Sequence, residues 1–142
     1  MKTNEIYISD DSIAIKLIRK YDNPWDILPN IKDYIKELGY SLNEDYNLIN
    51  EDVWVHKDAK VAESASLTGP CIIDSGAEVR HCAFIRGGVI IGKNSVLGNS
   101  CEIKNSILFD NVQVPHFNYV GDSILGSHSH MGAGSITSNV KS

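Results

Sequence analysis

The sequence predicts an all-β fold, a parallel β-helix of hexapeptide repeats with a small N-terminal helical segment. Three observations predict it. Apolar residues recur every six positions through the body of the chain. Small residues sit at a fixed offset from each of them. The pattern before residue 50 is helical instead.

The six-residue series runs through Val55, Val61, Leu67, Ile73, Val79, Ile85, Ile91, Leu97, Ile103 and Phe109. Against the 42% hydrophobic background, an unbroken run of this length has a chance probability of about 0.0002 in one phase, so an internal repeat is the better explanation. Four residues after each come Ala59, Ala65, Cys71, Ala77, Ala83, Val89, Ser95, Cys101 and Ile107, nearly all small. In a triangular coil, large side chains fill the interior from the flat faces and small ones fit near the corners. Three hexads make a coil of about eighteen residues, and coils stack at ~4.8 Å to bury a core that none buries alone. A helix is excluded because six is not a multiple of ~3.6 residues.

The head reads as residues 1–50, a helical segment, and the β-helix as residues 53–142, about five coils. Asn23-Pro24-Trp25-Asp26 predicts a turn opening a helix in which Ile27, Ile31, Tyr34, Ile35 and Leu38 share a face. Pro29 falls in its first turn and Gly39 at its C-cap. A shorter helix is predicted over residues 12–21, capped by Asp10 or Asp11. Residues 48–51 read as a connection.

The 142 residues carry a net charge of −5. That balance argues against nucleic acid as the main partner, since phosphate backbones call for a basic face. No apolar run approaches the ~20 residues of a membrane span, and no apolar secretory segment follows Met1. The expected location is therefore cytoplasmic, with no membrane partner. Cys71, Cys82 and Cys101 show no CxxC spacing, which predicts neither a disulfide framework nor a Cys-rich zinc site.

The six-residue phase holds to Phe109 and resumes at Leu125 and Met131. The interval from Phe109 to Leu125 is sixteen, which predicts an irregular loop over residues 110–122, the kind of feature that carries function in a solenoid. Arg86 and Lys104 are eighteen apart, one coil, and each follows a core position. Two readings fit such stacked cations: a phosphate or diphosphate bridging them, or two solvated charges relaxing apart.

Glu102-Ile-Lys-Asn-Ser-Ile-Leu108, Val114-Pro-His-Phe-Asn-Tyr-Val-Gly-Asp122 and Gly132-Ala-Gly-Ser-Ile-Thr-Ser-Asn139 together resemble the acetyltransferase domain of bacterial UDP-N-acetylglucosamine pyrophosphorylase/glucosamine-1-phosphate acetyltransferase. The resemblance covers about residues 53–142, and the helical head with Pro24-Trp25 resembles short stand-alone pyrophosphorylase-related proteins. It implies a left-handed coil of the trimeric hexapeptide-repeat class, and an acetyl-CoA-dependent N-acyltransferase acting as a homotrimer on an amino-sugar phosphate or nucleotide sugar. His116 is then the general base, since histidines titrate near ~6.5. Arg86, Lys104 and Tyr119 hold the acceptor phosphate, and Asn139 positions the acceptor or the base. The backbone of Gly132, Ala133 and Gly134 receives the thioester oxygen of acetyl-CoA. No metal is required. The Gly-rich nucleotide loop of the other half is absent, so no pyrophosphorylase activity is expected.

Two positions depart from the family pattern. His130 stands where a sugar-binding Asn is common, and Val140-Lys141-Ser142 replaces Tyr-Asp-Gly. Family members continue for further coils, so the expectation is a chain truncated at the C-terminus, keeping the acceptor pocket and lacking much of the CoA pocket. Two other functions compete: a non-catalytic nucleotide-sugar-binding module, and a zinc protein resembling the γ-class carbonic anhydrases through His81, His116, His128 and His130. His128 and His130, in an unusual His-Ser-His, are read as a poor local metal pair, each able to act separately.

Overall fold

The computed structural model describes residues 12–15, 19 and 24–137. A 3-10 segment, Pro24–Asn30, leads into helix α1, Ile31–Tyr40. Pro29 lies in the 3-10 segment rather than in the first α-helical turn. Gly39 is not the C-cap, a place taken by Ser41. It lies inside the helix, where a Cβ would collide with the Trp54 ring. The proposed caps Asp10 and Asp11 and half of the predicted helix over residues 12–21 lie outside the described residues.

Residues 48–51 are not a simple connection. Strand β1, Tyr46–Asn50, pairs antiparallel with β2, Val53–His56. It covers the edge at which the parallel stack would otherwise begin exposed. The Tyr46 hydroxyl donates to Asp74 Oδ1 at 2.6 Å, tying the cover to the second coil.

The first coil continues from β2 into β3 (Lys60–Val61) and β4 (Ser66–Leu67). The second holds β5 (Cys71–Ile73), β6 (Glu78–Val79) and β7 (Phe84–Ile85). The third holds β8 (Val89–Ile91), β9 (Val96–Asn99) and β10 (Glu102–Lys104). The fourth holds β11 (Ser106–Leu108), β12 (Gln113–His116) and β13 (Tyr119–Gly121). A fifth opens with β14 (Ile124–Leu125) and continues as single bridges, Gln113 to His130 and Tyr119 to Ile136. The strands stack into three sheets: β1-β2-β5-β8-β11-β14 on the first face, β12-β9-β6-β3 on the second and β13-β10-β7-β4 on the third. The fold is a left-handed parallel β-helix.

Ile73, Val79, Ile85, Ile91, Leu97 and Ile103 fill the interior, with Cys71, Ala77, Ala83 and Cys101 between them. The series then slips. Ile85 pairs with Ile103, eighteen residues on, but Ile103 pairs with Val120 and Ile91 with Leu108, seventeen on. Leu108 therefore points inward, while Phe109 and Ile107 point outward against the helical head. The cause is one corner. Gly87 and Gly88 turn it with two consecutive positive φ angles, 108° and 71°, whereas in the next coils Asn105 at 44° and Asp122 at 48° each turn it alone. Residues 110–122 are consequently no irregular loop. They form β12 and β13 in full register with the coil below.

The first face is apolar on both sides. Trp54, Ile72, Ile90, Ile107 and Phe109 pack outside it against Ile27, Ile31 and Ile35. Parallel strands covered on both faces read as continuous apolar triplets such as Val89-Ile90-Ile91. The second and third faces have no such cover among the described residues and are left to carry chemistry.

Candidate active site

The third face presents two outward columns, because its strands alternate inward and outward residues. Phe84, Glu102 and Tyr119 align by strand register in one, and Lys104 and Gly121 in the other. Arg86 stands one coil below Lys104, its N–H donating to the Ile103 carbonyl at 2.9 Å. The stacking expected from the eighteen-residue spacing is therefore present.

In the structure each cation of the pair has a carboxylate beside it. Arg86 Nη1 lies 2.8 Å from Glu102 Oε2, and Lys104 Nζ lies 3.9 Å from Asp122 Oδ2. Each cation is matched by its own carboxylate, partly exposed. An incoming phosphate would compete with Glu102 for the guanidinium fork and with Asp122 for the ammonium.

Tyr119 links this column to the neighbouring corner. Its backbone opens β13 beside the turn that follows His116, while its ring lies over residue 121. A Cβ at residue 121 would collide with the Tyr119 hydroxyl, so glycine is what lets the ring cross the face toward the Lys104 column. Among the residues expected to bind the acceptor, Arg86, Lys104 and Tyr119 thus share one face.

His116 ends β12 on the second face, exposed, at the corner shared with the third. The chain turns through Phe117 at a φ of 52°. It holds this unfavourable conformation because Cys82, Ser100 and Gly134 turn the same corner in the other coils. No side chain among the described residues hydrogen-bonds the His116 imidazole. What fixes the turn is Asn118. Its Oδ1 accepts the His116 N–H at 3.2 Å, and its Nδ2 donates to the carbonyls of Gly132 at 2.8 Å and Ser135 at 3.0 Å. Asn118 occupies the small-residue position held below it by Cys101 and Ala83, and it is 3% exposed. Sequence reasoning missed it. The signal was an amide on a position otherwise reserved for small side chains.

Gly132, Ala133 and Gly134 lie one coil above His116. The Gly134 N–H donates to the His116 carbonyl at 3.1 Å and is spent on coil stacking. Its φ of 78° is the same left-handed turn that Phe117, Ser100 and Cys82 make in the coils below. Among the described residues the N–H groups of Gly132 and Ala133 remain without a partner. His130 pairs with Gln113 on the second face, three residues along the strand from the His116 column, or roughly 10 Å. It is not brought to the cation column. Asn139 lies outside the described residues.

The histidines of the zinc reading are dispersed. His81 and His116 share one corner two coils apart, His128 turns another corner, and His130 is on the second face. Among the described residues no three His, Cys, Asp or Glu side chains are grouped to hold a metal ion. No helix among them is long and apolar enough to cross a membrane.

Against known proteins, the family described as the GMPPB C-terminal domain matches residues 67–141. The chain belongs to this family. Curated relatives match most of the chain. The bifunctional protein GlmU of Methanococcus maripaludis strain C5 is 35% identical over 137 residues, which is 84% of this chain and 30% of the relative. The protein of the same name from Methanococcus aeolicus is 38% identical over 138 residues, 79% of this chain and 33% of the relative. The chain therefore spans about a third of the length of these relatives. Among solved structures, the acetyltransferase domain of PglB from Neisseria gonorrhoeae superposes with a TM-score of 0.60 at 19% identity, covering 75% of this chain and 51% of that one. The same domain in complex with acetyl coenzyme A gives 0.59 at 18% identity, covering 60% and 42%. These two establish the shared fold.

Proposed function

We propose that the chain is an acyltransferase module that moves an acetyl group from acetyl-CoA to the amine of an amino-sugar phosphate or nucleotide sugar. The observation that carries the reading is Tyr119, whose ring spans from the His116 corner to the Arg86–Lys104 column. A sugar phosphate laid along the third face puts its phosphate on the cations and its amine near the imidazole. The acetyltransferase domain of PglB, which shares this fold and has been solved in complex with acetyl coenzyme A, supports the same chemistry. His116 takes the amine proton as nitrogen attacks the thioester carbon, the N–C bond forms and the C–S bond breaks. The N–H groups of Gly132 and Ala133 receive the oxyanion. Asn139 orients the base or the acceptor, and His130 contacts the acceptor only if the sugar reaches round the corner to the second face. The working unit is a homotrimer in the cytoplasm. The head over residues 1–50 and the coils from residue 53 form the two parts of the module.

Thiol release from acetyl-CoA by the full-length protein tests the reading, with glucosamine 1-phosphate first and then other amino-sugar phosphates and nucleotide sugars. Turnover with one acceptor supports it. A second reading, binding of nucleotide sugars without chemistry, is favoured by the His116 imidazole, which has no side-chain partner among the described residues. Nucleotide-sugar binding without thiol release for any acceptor would select it.

A further inference from the structure

Two coils below His116, on the same corner, lies a constellation that the acyl-transfer reading does not use. Cys82 Sγ is 3.3 Å from His81 Nε2, and His81 Nδ1 is 2.6 Å from Ser64 Oγ. Ser64 Oγ also accepts the Cys82 N–H at 3.0 Å. Cys82 takes a φ of 59°, and this turn is what folds its side chain back on the preceding imidazole. Both Cys82 and His81 are exposed. A thiol, an imidazole within reach of it and a hydroxyl orienting that imidazole from the next coil are the parts of an activated nucleophile. The other two cysteines offer a contrast within the same chain. Cys71 and Cys101 are buried in the core, and burial pushes the Cys71 thiol up to about 12 and raises that of Cys101.

We propose that Cys82 is a reactive thiol activated by His81 and Ser64, and that this corner is a modification site for small-molecule disulfides. The Ser64 hydroxyl, accepting from His81 Nδ1–H, leaves the Nε2 lone pair facing sulfur. As Cys82 sulfur attacks one sulfur of the disulfide, its proton passes to His81 Nε2. The new S–S bond forms, the old one breaks, and the departing thiolate takes the proton from His81. The products are a mixed disulfide at Cys82 and one free small thiol, with the disulfide itself as oxidant.

The test uses glutathione disulfide on the full-length protein, followed by intact mass and peptide mapping, against a cysteine peptide of unrelated sequence. The adduct is expected at Cys82 alone. At pH 7 it forms at least about tenfold faster than on the peptide, and His81→Gln removes that advantage. At pH 10, where thiols ionise without help, wild type and His81→Gln agree within about twofold. Should His81→Gln fail to fold, seen as reaction at Cys71 and Cys101, Ser64→Ala carries the comparison with the same loss at pH 7 only. A Cys82 rate no greater than that of the peptide at pH 7 overturns the proposal. A variant that slows both pH values equally also overturns it, because accessibility then accounts for the rate.

Discussion

The Tyr119 ring lies over Gly121, and only the missing Cβ at residue 121 makes room for it. Because Gly121 is the register partner of Lys104, the phenol and the ammonium meet the same stretch of solvent. Gly121→Ala is expected to lift the Tyr119 hydroxyl off the sheet without unfolding it, since residue 121 does not need a positive φ. The expected result is a rise in KM for the acceptor of about tenfold, the loss of one good hydrogen bond, with kcat little changed. Steady-state kinetics checks it. An unchanged KM would remove Tyr119 from the acceptor site.

Asn118 ties the His116 turn to the coil above it through three hydrogen bonds. Asn118→Ala removes the side-chain partner of the His116 N–H and one of the two donors to each of the Gly132 and Ser135 carbonyls, at a cost of about 1–3 kcal/mol once water replaces part of what is lost. Urea unfolding measures the shift. Amide exchange is expected to quicken over residues 130–137 before the rest of the coil. A loss below about 0.5 kcal/mol would show the amide to be dispensable.

Stability is expected to fall in alkali. Burial pushes the Cys71 thiol up to about 12 from an ordinary 9.0. The Tyr46 phenol is raised above its ordinary 10.0 by burial and by its hydrogen bond to Asp74. Both groups stay neutral in the folded chain while the unfolded chain ionises. Their contribution is therefore complete below pH 9 and lost as pH rises, with Cys71 adding a slope of up to ~1.4 kcal/mol per pH unit. Urea midpoints from pH 7 to 11 check this, and Cys71→Ala should flatten the first part of the decline. A midpoint level to pH 11 would contradict it.

The coil was legible because its period is a direct imprint of packing. Each inward residue from Ile73 to Ile103 was named by counting alone. Counting failed two residues later, at the Asn105 corner. A corner turned by one residue instead of two glycines shifts the phase without changing composition. The same slip made an ordered coil, residues 110–122, read as a loop. The outer stripe of Trp54, Ile72, Ile90 and Ile107 was present in the sequence at the coil spacing, but a search for one inward period passes over an outward one. At the site, the stacking of Arg86 and Lys104 followed from spacing. Their carboxylate partners did not, because Glu102 and Asp122 reach them through side-chain geometry that spacing does not encode. Asn118 was hidden for a related reason, since its value lies in three backbone groups from different parts of the chain.

The most direct measurement is the rate of thiol release from acetyl-CoA with the preferred amino-sugar acceptor, wild type against His116→Ala. His116 is exposed and its side chain supports no neighbour among the described residues, so the variant should fold and bind acceptor unchanged. The account predicts a fall in kcat of about 10²–10⁴, the usual contribution of a positioned general base. A variant that turns over at the wild-type rate would contradict it.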